Sequence, residues 1–185
     1  MAFGRPKKAA APLNEAGLYE YAVRTLGRMM RTEAELRRLM STRVEPGESG
    51  QKKIAAVVAK LHEYGFLDDR SFAETYTRLR QSNQKLGARR VRQDLQRKGV
   101  GSELIDEAVT ARYGGMDEET LVRAHLEQKR LKKPANEKES ARLMRRLVSA
   151  GFSVGVIYKV LRQWDVPEET LMALDSVEEE RGGEE

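Results

Sequence analysis

Apolar residues recur along this chain at intervals of three and four, the spacing that gathers them on one face of a helix. Nine stretches carry the pattern, separated by polar or glycine-bearing junctions. The first opens after Asn14 and sets Leu18, Ala22, Leu26 and Met29 on one side. Thr32-Glu33-Ala34-Glu35 has the spacing of a capping box and leads into a short helix burying Leu36, Leu39 and Met40. Glu45 to Gly50 is a loop by composition. A third helix follows with Ile54, Val57, Val58 and Leu61 inward, stopping at Gly65. Ser102 is read as the cap of a sixth helix with Ile105, Ala108 and Val109 inward; Asp117 opens a seventh with Leu121 and Ala124. Asn136 to Glu139 repeats the capping-box spacing ahead of Leu143, Met144 and Leu147, and Ser153 opens a ninth helix with Ile157, Val160, Leu161 and Trp164. No segment shows sustained strand alternation, so the expected class is all-α.

The stretch from Gly65 to Val100 is the most informative. Asp68 and Asp69 follow Phe66-Leu67 and supply a side-chain oxygen to cap a helix start. Phe72, Tyr76 and Leu79 recur at i, i+4 and i+7 and predict the apolar face of that helix. The next helix starts near Gly87-Ala88, turns Val91 and Leu95 inward and ends at Gly99 after the basic Lys98. Opposite Val91 and Leu95, the residues Arg89, Arg92, Gln93 and Gln96 form a stripe of long hydrogen-bond donors that core packing does not require.

The pattern repeats. A shift of 52 residues superposes Val91 on Leu143, Leu95 on Leu147, Gly99 on Gly151, Ile105 on Ile157 and Val109 on Leu161. Leu36, Met40 and Val44 follow the same plan in the first third of the chain. Three-helix units at this spacing are the mark of a quasi-linear array, and a unit of about 50 residues has a marginal core unless neighbours pack on it. The expected organisation is a basic N-terminal tail at 1–13, repeats at 14–65, 66–115 and 116–164, and an acidic tail at 165–185. An open array of this kind is expected to be elongated and curved.

Composition narrows the function classes. The 185 residues hold 34 Lys and Arg against 29 Asp and Glu, a net charge of +5. Residues 165–185 contribute nine carboxylates and one arginine, so the remainder carries +13. A basic body suggests an anionic partner, nucleic acid or an acidic protein surface. Cysteine is absent, which removes a disulfide framework and thiolate metal sites and is compatible with a reducing cytosol. The longest apolar run, Ile54 to Ala59, is far too short for a membrane span, and the N-terminus lacks the apolar core of a signal peptide. A cytoplasmic location is expected.

Nothing in the chain predicts catalysis. Adjacent carboxylates at a helix start diverge, so capping accounts for Asp68 and Asp69. His62 and His125 stand without a metal-ligand partner nearby in sequence and read as surface or core-edge residues. Residues 45–53 lack the spacing of a phosphate loop. Phe72, Tyr76, Trp164 and the Met29-Met30 pair are read as core. The basic positions are different: Arg78, Arg80 and Lys85 border the central connection, Arg89, Arg92 and Arg97 lie on the outward side of the next helix, and Lys129, Arg130, Lys132 and Lys133 crowd the corresponding connection of the third unit. These ten are the candidate partner-binding residues.

The ordered set Phe66-Leu67-Asp68-Asp69, Phe72-Ala73, Gly87, Arg90-Val91, Leu95 and Lys98-Gly99-Val100 resembles the central signature of the RecX family, bacterial regulators of the RecA recombinase. Ala88 stands where the family often has proline, and Lys85 where a small residue is common. The resemblance implies three tandem three-helix repeats in a crescent, structural roles for Asp68, Asp69, Phe72, Gly87, Leu95 and Gly99, and no cofactor. It implies a monomer that binds the RecA nucleoprotein filament, with direct contact to single-stranded DNA left open, and limits filament growth, ATP hydrolysis and strand exchange, thereby restraining recombinational repair and the SOS response. The alternatives are a helix-turn-helix-like protein that binds DNA directly and a passive helical scaffold.

Overall fold

A computed structural model of the chain describes residues 11–164. The acidic tail and most of the basic N-terminal tail lie outside them. Among the described residues the chain forms helices and no strand: α1 (Glu15–Leu26), α2 (Glu33–Ser41), α3 (Glu48–Glu63), α4 (Asp69–Gln84), α5 (Ala88–Arg97), α6 (Ser102–Tyr113), α7 (Glu118–Gln128), α8 (Glu137–Ser149) and α9 (Val154–Arg162). The fold is all-α, as the periodicity requires. The helices divide into two compact units, one running through Phe72 and including Lys98–Gly101, the other holding Ala73–Arg97 and the residues from Ser102 onward.

Local chemistry starts several helices where expected, although Ser102, read as the cap of the sixth, is the first residue of α6. Asn14 Oδ1 accepts from Gly17 N at 2.9 Å. Thr32 and Glu35 close a reciprocal capping box that satisfies two otherwise orphaned donors of α2. Asn136 caps α8 through Glu139 N, while Glu139 reaches back to Ala135 N instead of completing the box. Helix α3 starts earlier than composition suggests, at Glu48, because Gly47 at φ 99° turns the chain straight into it.

In the first unit, Leu18, Ala22, Leu36, Met40, Ile54, Val57, Val58, Leu61 and Leu67 form one closed cluster. Met29 and Met30, expected in the core, are instead 61% and 49% exposed, because α1 has already ended at Leu26. In the second unit, residues of α7, α8 and α9 close around Phe152, which is fully buried. The central helices are more polar inside. On α4 the buried line runs through Phe72, Ala73, Thr77 and Gln81, so Leu79 is turned out and 43% exposed, against the face expected from its spacing. Gln81 Oε1 takes both the Nε and Nη2 of Arg112 at 3.0 and 2.5 Å. Asp94, with only 10% of its side chain exposed, is bracketed by Arg90, Arg97 and the Tyr76 hydroxyl.

The same joint is built twice. In the first unit Thr32 Oγ1 donates to Lys98 O at 2.6 Å, Lys98 Nζ pairs with Glu35 at 2.7 Å, and Gly99 at φ 80° sits so close to α2 that a Cβ there would lie 2.4 Å from the Cβ of Ala34. In the second unit Gly87 N donates to Ala150 O at 2.9 Å. A Cβ on Gly87 would lie 2.2 Å from Gly151 O, and one on Gly151 would lie 2.3 Å from Arg90 N. In the second unit the glycine stop of one repeat's middle helix, α8, is pressed against the start of the preceding repeat's middle helix, α5; in the first unit Gly99 is pressed against the start of α2. Only a residue without a side chain allows backbones to approach this closely.

Candidate partner-binding site

The central signature begins with two aspartates that do separate work. Asp68 caps its own helix, its Oδ1 accepting from Ser71 N at 3.1 Å. Asp69 accepts instead from Glu33 N at 2.9 Å and so caps α2, a helix thirty-six residues earlier. Burial raises the Asp69 carboxyl above its ordinary range, and the nearby Glu33 carboxylate adds to the shift. Phe72 and Leu95 are buried and Gly87 and Gly99 form the joints.

The connection after α4 carries Lys85, whose backbone is left-handed at φ 50°. A helix that ends this way leaves carbonyls without partners, and here later helices supply the donors. Asn83 O accepts from Gln128 Nε2 at 2.7 Å, Gln84 O and Lys85 O both accept from His125 Nδ1 at 3.2 and 3.1 Å, and Leu86 O accepts from the Tyr113 hydroxyl at 2.8 Å. Carbonyls only accept, so the proton of the neutral His125 ring is on Nδ1. Burial lowers the His125 pKa, with Lys129 and Arg146 pushing the same way. His125 is 3% exposed and meets Phe152 edge-on at 5.4 Å. The histidine read as a surface or core-edge residue is thus the clamp of the central connection. The equivalent position after α7 is Arg130, also at φ 50°.

These bonds draw together two basic groups that lie forty-odd residues apart in sequence. The carbonyls of Lys85 and Asn83 meet His125 and Gln128 on the C-terminal turn of α7, which runs directly into Lys129 and Arg130, both exposed. Lys132 and Lys133 follow and are exposed as well. Arg78 is exposed on α4, whereas Arg80 lies over the Tyr76 ring at 4.7 Å and donates to Gln84 Oε1 at 2.8 Å. The outward stripe of α5 is not uniform. Arg92 pairs with Asp106 and Arg97 with Asp94, but Arg89 is exposed with no ion-pair partner among the described residues.

Two clefts were not legible in the sequence. In the second unit, a cleft of about 490 Å³ adjoins Arg89 and is floored by Ala88, Tyr113, Met116, Leu121 and Val154. In the first unit, one of about 610 Å³ is lined by Tyr21, Arg24, Arg28 and Arg43, with the Arg43 guanidinium 5.1 Å from the Tyr21 ring centroid. The arginines come from α1, its exit and the exit of α2, so no single run of sequence displays them together. Among the described residues no group of His, Cys, Asp and Glu is arranged to hold a metal ion, and no helix is long and apolar enough to cross a membrane.

Comparison with known proteins locates this architecture. A family model described as the second three-helix domain of RecX matches residues 68–109. The chain is 34% identical over 129 residues to the regulatory protein RecX of Mycolicibacterium vanbaalenii, covering 68% of each chain. It is 32% identical over 167 residues to the regulatory protein RecX of Thermobifida fusca, covering 86% of this chain and 85% of that one. A crystal structure of regulatory protein RecX superposes with a TM-score of 0.64 at 22% identity, over 80% of this chain and 71% of that chain, which establishes the shared fold.

Proposed function

The chain belongs to the RecX family of regulatory proteins, and from that footing we propose that it binds the RecA–single-stranded DNA filament and limits its growth, ATP hydrolysis and strand exchange. In the cell it would act in the cytoplasm as a monomer, without cofactor or catalytic residue, restraining recombinational repair and the SOS response. The observation that carries the reading is the stitched basic surface of the second unit. His125 and Gln128 hold the Lys85 connection against the end of α7, which supports reading Lys85, Lys129 and Arg130 as one binding patch on a backbone fixed in advance. A preorganised patch loses less conformational freedom on binding than a mobile loop. Arg78 and Arg80 on α4, Arg89, Arg92 and Arg97 on α5, and Lys132 and Lys133 beyond the end of α7 extend the proposed set of binding residues.

The mechanism is a population shift. A ligand that prefers one filament state draws the filament into it by the difference in its affinity for the two states. The test is retention on immobilised RecA filaments formed on single-stranded DNA with a nucleotide analogue, beside the same DNA without RecA. Retention on the filament alone, together with falling ATP hydrolysis, is the expected result; equal retention on bare DNA refutes it.

A second reading, direct binding to nucleic acid, is favoured by the Tyr21, Arg24, Arg28 and Arg43 cleft, since arginines beside an aromatic ring suit a phosphate backbone and a stacked base. It predicts binding without RecA and an affinity that falls steeply with salt.

A further inference from the structure

The cleft beside Arg89 is apolar where the rest of the candidate surface is charged. Tyr113 presents its ring there while its hydroxyl is committed to Leu86 O, and the phenol pKa is raised by that burial. Met116 is 40% exposed at the rim. The one carboxylate in the lining, Glu118, is spoken for: its two oxygens accept from Ser153 N and Ser153 Oγ at 2.8 and 2.7 Å. It keeps its negative charge but forms no ion pair with Arg89 among the described residues. Nor does local helix stability explain Arg89, which sits in the first turn of α5, where a positive charge opposes the helix dipole and no acidic residue offsets it. At about 490 Å³ the cleft has the size of ligand pockets, enough for a short peptide segment and more than an ion needs.

We propose that this cleft is a socket for a segment of a protein partner in which an apolar side chain is followed closely by a carboxylate, the apolar group seated among Tyr113, Met116, Leu121 and Val154 and the carboxylate held by Arg89. A single cation over an apolar floor suits such a segment better than nucleic acid, which rewards several phosphate contacts. The shape also matches how interfaces concentrate their energy, in a desolvated anchor ringed by polar groups. The inference rests on the reading that the partner is the recombinase filament, and it makes the grip there hydrophobic as well as ionic.

The experiment measures binding of the full chain to preformed RecA filaments, with Trp164 fluorescence following the fold of each variant. Arg89→Ala and Met116→Glu each remove one half of the proposed contact, and Met116→Gln is a milder replacement of similar length. Expected are unchanged melting midpoints, at least tenfold weaker filament binding for Arg89→Ala and Met116→Glu, and a smaller loss for Met116→Gln. Wild-type binding with both Met116 variants within twofold of it overturns the socket while leaving the filament reading intact. Loss confined to Arg89→Ala overturns the apolar anchor and leaves a purely ionic contact. Absence of wild-type binding removes the filament reading itself, and this inference with it.

Discussion

Gly151 and Gly155 lie four residues apart, and alanine should act on them in opposite directions. At Gly151 the backbone has φ 92°, and the added Cβ would lie 2.3 Å from Arg90 N and 2.5 Å from Arg90 Cβ. The left-handed conformation alone costs a side-chain-bearing residue about 1–2 kcal/mol. Forcing a methyl group against backbone atoms that cannot rotate away adds about 1–3 kcal/mol. Any retreat also strains the Gly87 N–H to Ala150 bond, worth about 0.5–1.5 kcal/mol net. A loss of about 3–5 kcal/mol is therefore expected for Gly151→Ala, a large share of the stability of a small domain. Gly155 lies in the first turn of α9 with nothing within 4 Å of an added Cβ, so Gly155→Ala should stabilise by about 0.5 kcal/mol through helix propensity. Urea unfolding followed by the fluorescence of Trp164, the sole tryptophan, reads both, since Trp164 packs on the cluster around Phe152. If Gly151→Ala costs no more than about 2 kcal/mol, strain in φ is the whole effect, and the close approach of the two middle helices is not a feature of the folded protein.

Two further outcomes are expected. Asp69→Ala should cost about 1 kcal/mol and speed amide hydrogen exchange in the first turn of α2, whereas Asp68→Ala should speed exchange in α4; if both act on α4, Asp69 does not cap the earlier helix. Because burial lowers the His125 pKa, the unfolded chain takes up a proton that the folded chain refuses once the pH drops below the ordinary histidine value near 6.5. The His125 contribution to stability is thus complete above about pH 6.5 and is lost as the pH falls through that value towards the lowered one. His125→Gln should flatten the change in urea midpoint between pH 7.5 and pH 5, and an identical pH slope in both proteins refutes the assignment.

Much of the architecture follows from local order. Helix starts at Asn14, Thr32, Asp117 and Asn136 depend on residues within three or four positions, and the amphipathic spacing of Leu36, Val91, Leu143 and their partners dictates which face is buried. The signature of the central repeat is equally local, which is why the family could be read from it. Long-range pairing decided the rest. Asp69 looks like a helix cap in any window, but which helix it caps depends on α2 arriving beside it. His125 has no neighbour in sequence that hints at carbonyls forty residues away, and Leu79 has helical spacing yet faces out because α4 buries the polar Thr77 and Gln81. The basic residues were visible as charge, but a list of arginines carries no pairing. Folding brought acids to Arg92 and Arg97 and, among the described residues, none to Arg89, and set Arg89 beside an apolar cleft built from four separate elements. Periodicity is a property of neighbours along the chain, whereas an ion pair or a cleft exists only once distant segments have packed.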